Sequence, residues 1–162
     1  MTSDYGRQIM IALNAVRQLH SDTSRLLVDF GKKMGADWYS VFGNFATREL
    51  TYSVNTEFWM AEGVYRYWAS NNCPGVVKGL TICFFDRRIQ EPILVVAEVK
   101  YQLQLGTEIR SVCKEWDLRN LFLDWNEKRV TGDVITFGAA DGGRIQSATL
   151  IAKPIYDIGS VD

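Results

Sequence analysis

One seam governs what this chain can fold into. From Ser3 to Met34 the positions Ile9, Leu13, Val16, His20, Thr23, Leu27, Phe30 and Met34 follow one another in alternating steps of four and three residues. That spacing marks one face of a helix and is incompatible with a strand, whose faces repeat every second residue. Ser3 and Asp4 suit the N-terminal cap, and Lys32, Lys33 and Gly35 suit the C-terminal end. At the usual rise such a helix runs roughly 45 Å, longer than a small domain is wide, so part of it is expected to reach a second surface. His20 and Thr23 place a polar pair in the middle of the seam. In paired helices such a pair commonly sets register and partner number at some cost in stability. Leu13, Val16, His20, Thr23, Leu27 and Phe30 are therefore expected to form an interface with a protein partner or a second copy.

The remaining residues read differently. Arg48 to Val54 alternates like a strand, with Leu50, Tyr52 and Val54 on one face. Thr56 can cap a helix over 56–70 that carries Phe58, Ala61, Tyr65 and Trp68 on one side and ends at Asn71-Asn72-Cys73-Pro74-Gly75. Val76 to Phe85 and Ile93 to Leu105 are two strands whose short connection permits only an antiparallel hairpin. A second helix is expected over 116–126, with Leu118, Leu121, Phe122 and Trp125 turned inward. Asp133 to Phe137 and Arg144 to Ala152 flank Asp141-Gly142-Gly143, a hairpin signal. The expected fold is α+β over a single domain of 162 residues: a long N-terminal helix over 1–35, then one or two further helices packed on a mainly antiparallel sheet of about 5–6 strands.

Composition narrows the chemistry. Eighteen basic residues against nineteen acidic ones leave a formal charge of -1, and no window gathers cations into a polyanion-binding face, so nucleic acid is not favoured as a partner. No apolar run approaches the length of a membrane span, and the N-terminus does not read as a secretory signal, so a cytoplasmic protein is expected. Cys73, Cys83 and Cys113 are odd in number and widely spaced, which argues against a disulfide framework or a paired-cysteine zinc site. His20 is the only histidine, so histidine-built metal and nucleophile sites are excluded apart from one centred on it.

The stretch closest to chemistry is Glu98-Val99-Lys100, in a strand whose other face is Val95, Ala97, Val99, Tyr101, Leu103 and Leu105. Asp86 followed by Glu98-x-Lys100 resembles the D…(D/E)xK pattern of the PD-(D/E)xK nucleases. The resemblance covers only this strand pair. It implies a Mg or Mn ion held by the acids, with the lysine orienting the attacking water. Hairpin geometry opposes the match. Placing Gly79 opposite Glu98 and Val77 opposite Lys100 leaves Asp86 at the turn, roughly 23 Å along the strand from Glu98. A second acid would have to come from Glu57, Glu62, Asp117 or Asp133.

Trp59 and Tyr67 fall off the main face of the helix expected over 56–70, which marks them as aromatic anchors for a partner. The reading that accounts for most of these features is a small interaction or regulatory module without catalytic residues, metal or cofactor. It binds a protein partner or itself, as a homodimer, through the seam together with Trp59 and Tyr67. The alternative is a metal-dependent phosphodiesterase built on Glu98 and Lys100.

Overall fold

The computed structural model of the protein describes residues 3–43, 61–139 and 143–157. The chain divides into two compact units, Met1–Gly35 and Ala36–Asp162. The first is built on one helix, α1 (Ser3–Lys33), of 31 residues. Asp4 in its first turn and Lys32 and Lys33 in its last complement the helix dipole. Gly35 follows with φ of 84°, the left-handed conformation that lets a chain leave a helix without a Cβ clash. No described helix is long and apolar enough to cross a membrane.

Among the described residues the second unit is a six-stranded sheet with two short α-helices and a 3-10 turn over Ile155–Asp157. Its strands are β1 (Trp38–Ser40), β2 (Gly63–Ser70), β3 (Val76–Cys83), β4 (Ile93–Tyr101), β5 (Val134–Phe137) and β6 (Ile145–Pro154). The helices α2 (Ile109–Val112) and α3 (Asp117–Leu123) lie between β4 and β5 in sequence. The spatial order is β1-β2-β3-β4-β6-β5, and every neighbouring pair is antiparallel. This is the α+β architecture that the hairpin signals predict, with α3 packed on β3 and β4.

Alternation decides which side chains meet α3. Val95, Ala97, Val99 and Tyr101 of β4 are buried, and their cross-strand partners are Ala152, Leu150, Ala148 and Ile145 of β6. Tyr67, Val77 and Cys83 extend the same layer, and α3 contributes Leu118, Leu121 and Phe122. Gly79 is where this packing is closest. A Cβ there would stand 2.6 Å from both Leu118 Cδ1 and Tyr67 Cδ1. The bare backbone of β3 is what lets the Tyr67 ring and α3 approach the sheet together.

The structure departs from the sequence reading at β2 and in the β3–β4 register, and β4 ends at Tyr101 rather than at Leu105, which is fully exposed. Residues 63–70 form the strand β2 and not the end of a helix; the strand expected over 48–54 and the first residues of that helix lie outside the described residues. The reason is that β2 lies inside the sheet and is buried on both faces, with only Arg66 partly exposed. A strand of that kind shows no polar alternation. The second departure is one of register. Lys78, not Gly79, pairs with Glu98, and Val76, not Val77, pairs with Lys100. Paired residues share a face of the sheet, so the expected register would have turned Lys78 into the core.

Candidate functional site

Among the described residues, eight of the thirteen exposed large apolar side chains lie on α1. In heptad terms Leu13 and His20 hold position a, Ile9, Val16 and Thr23 hold position d, and Tyr5, Ala12, Leu19 and Leu26 hold position g. The stripe is thus three positions wide rather than the two of a plain two-stranded seam. Ile9 is 51% exposed, Leu13 57% and Tyr5 74%, and Val16 and Leu19 are also exposed. Thr23 and Leu27 are buried, which takes those two expected interface positions off the free surface. His20 is exposed and Phe30 is partly exposed. The exposed positions of the seam therefore run from Tyr5 to His20.

The expected aromatic anchors fare differently. Trp59 lies outside the described residues. Tyr67 is a core residue at 1% exposure, so it does not belong to a surface. Its ring packs edge-on against Phe42 at 5.8 Å and beside Tyr65 at 5.7 Å. Part of the aromatic surplus carries cations instead. Lys78 Nζ lies 4.7 Å from the Trp38 ring centroid and the Arg119 guanidinium 5.0 Å from that of Trp116.

Glu98 and Lys100 both point to the exposed side of β4. Glu98 faces Lys78 on the neighbouring strand, Oε2 to Nζ 3.8 Å. Asp86 belongs to another network. Its Oδ1 accepts from the Arg88 backbone N–H at 2.9 Å and from Arg88 Nε at 2.7 Å, and it also pairs with Arg119. Hydrogen bonds from Arg88 hold its carboxyl well below the usual carboxylate range, against an opposing effect of burial. Glu62 joins through Arg119 at 3.4 Å, and Asp124 pairs with Arg88. These guanidinium partners occupy the acids that a metal would need, and no cluster of three metal-ligating side chains occurs among the described residues. The network ties the β3–β4 turn to α3 and to the start of β2.

A second polar group lies inside the core and was not legible as a unit in the sequence. Asp117, wholly buried at the start of α3, accepts from Arg144 Nη2 at 2.7 Å, from the Lys114 backbone N–H at 2.7 Å and from the Tyr101 hydroxyl. Beside it the Tyr67 hydroxyl donates to the Glu115 carbonyl at 2.8 Å and accepts from the Leu118 N–H at 3.4 Å. Burial pushes both tyrosines above their ordinary pKa, so they remain donors at neutral pH. Each hydroxyl fixes a different part of α3 or the segment before it. The arrangement positions a helix, with Tyr67, Tyr101 and Asp117 themselves buried.

Two of the three thiols are also enclosed. Burial raises the Cys83 thiol to about 11 and the Cys113 thiol to about 12, while Cys73 is exposed. Only thiolate reacts with a disulfide reagent. Titration of the native protein with Ellman's reagent at pH 8 should therefore give one fast thiol, with Cys83 and Cys113 about 100-fold slower or more until denaturant is added. A Cys73→Ser variant should lose the fast phase.

One cleft of about 450 Å³ opens at the end of the sheet where β1 meets the segment leading into α2. Val41 and Ile109 form its buried wall and Tyr39, Glu108 and Arg110 its exposed rim. Its volume is in the range of small-molecule pockets, and its charged lining residues, Glu108 and Arg110, are exposed. No family model, curated protein or solved structure matches the chain.

Proposed function

We propose that this chain is a protein-interaction module that acts by self-association through the N-terminal half of α1 and carries out no chemical step of its own. The observation that supports this reading is the exposed stripe of Tyr5, Ile9, Leu13, Val16 and Leu19 on a helix that forms its own compact unit. Apolar residues at this spacing and exposure cost free energy in water until another apolar face covers them. The three free cysteines suit a reducing compartment such as the cytoplasm.

Light scattering of the full chain across a concentration series tests the proposal. The expected result is a dimer that dissociates on dilution. Leu13→Asp with Val16→Asp would place four carboxylates in one seam, and the dissociation constant should rise about 100-fold or more. Far-ultraviolet circular dichroism should be unchanged for the variant at concentrations where both proteins are monomeric. A monomer for the unmodified chain at all concentrations would sink the proposal.

A further inference from the structure

The pattern of the exposed half-helix fixes more than a tendency to associate. We infer that two copies of α1 pair antiparallel about a two-fold axis close to Ile11 and Ala12, an arrangement that rests on the self-association reading above. In an antiparallel pair each a position sits beside a d position of the other helix, with g facing g and e facing e along the two flanks. Setting Leu13 beside Ile9 of the second copy also sets Val16 beside Gly6 of that copy, so one register satisfies successive layers. Nothing lies within 4 Å of a Cβ built on Gly6, so its surface is open to the Val16 side chain of another copy.

The flanks agree with this register. Along the g side, Tyr5 faces Leu19 of the second copy, and the small Ala12 faces its own equivalent at the axis, making that flank wholly apolar. Along the e side, Met10 meets its equivalent, and Arg17 reaches the level of Ser3 and Asp4 of the second copy. Asp4 and Arg17 make no ion pair among the described residues, whereas Asp22 and Asp29 further along the helix each have a basic neighbour. The pairing supplies each with the opposite charge, twice per dimer. A parallel in-register pair does not. There e faces g, so Arg17 meets Ala12 and Met10 meets Tyr5, and neither charge is answered.

Spin labels distinguish the two arrangements. In a Cys73→Ser background, labels are placed on Gln8→Cys or Ser21→Cys, both off the apolar stripe, and the distance between copies is measured by pulsed electron resonance. At the helical rise, the antiparallel pair separates the Gln8 labels by about 9 Å along the axis and the Ser21 labels by about 30 Å. The expected result is therefore a distance at Ser21 longer by about 20 Å, and weaker association in Arg17→Glu that Asp4→Lys restores. Equal distances at the two sites in a confirmed dimer would overturn the antiparallel arrangement alone. A monomer by light scattering would overturn the underlying reading with it.

Discussion

Asp117→Ala is expected to destabilise the sheet unit by about 3–5 kcal/mol, a large share of the 5–15 kcal/mol that holds a typical domain together. The magnitude comes from what the substitution leaves behind. Arg144 keeps its charge, with its side chain 23% exposed and facing the place of the lost carboxylate. The Tyr101 hydroxyl and the Lys114 N–H lose their acceptor in the same step. Each orphaned buried donor costs about 1–3 kcal/mol, and a half-buried cation without its partner costs more than the pair contributed when intact. Urea denaturation followed by tryptophan fluorescence measures the change as a shift in midpoint at constant slope. Asp117→Asn should fall between wild type and alanine, because an amide oxygen still accepts from Lys114 and Tyr101 but no longer balances Arg144. A loss under about 1 kcal/mol for the alanine variant would mean that the cluster is not the anchor of α3 described above.

Tyr67→Ala is expected to cost about as much, about 3–5 kcal/mol, by a different route. The ring fills the space that Gly79 leaves open, against Leu118 and the Phe42 and Tyr65 rings. Removing it makes a cavity in the layer between sheet and α3, and it strips the Glu115 carbonyl and the Leu118 N–H of a partner. Tyr67→Phe separates the two contributions. It keeps the ring and should cost about 1–3 kcal/mol, the penalty of the unsatisfied polar groups alone. The pair of variants also discriminates between a core tyrosine and a surface anchor, since an anchor would change binding while leaving the unfolding midpoint nearly in place.

The elements that the sequence announces are those whose two faces differ. In β4 the apolar residues alternate with Glu98 and Lys100, and α1 keeps its four-three spacing from Ile9 to Met34. Both were legible for that reason. The stretch Gly63–Ser70 was not, because Val64 and Trp68 on one face are as buried as Tyr65, Tyr67 and Ala69 on the other. Phe58, Ala61, Tyr65 and Trp68 then satisfy a helical template by accident, and only the density of aromatic and β-branched residues spoke for a strand. The register of the β3–β4 hairpin held a usable signal. Lys78 and Glu98 carry opposite charges and must both avoid the core, which places them on the same face and opposite each other. The Asp117 cluster had no such signal. It joins Tyr101 at the end of β4, Lys114 before α3, Asp117 at the start of α3 and Arg144 before β6, and no spacing rule links an aspartate at a helix start to an arginine after a glycine turn. At α1 the stripe was plain from its spacing alone.

The strand order has a consequence for how the chain is made. β6 is inserted between β4 and β5, so among the described strands the one made last is interior and the one made before it is the edge. During synthesis β1 to β4 can zip together hairpin by hairpin while β5 has nothing to pair with. Until residue 154 has emerged, β4 presents a bare row of backbone donors and acceptors along its outer side, with Val95, Ala97 and Val99 beside them. An open edge of that kind recruits any extended segment nearby, including the same strand of a neighbouring nascent chain. Arrival of β6 closes that edge and brings β5 with it, and Arg144, at the head of β6, then reaches Asp117. The core ion pair between Arg144 and Asp117 thus ties α3 to a residue that follows it in the chain, beside the strand that completes the described sheet.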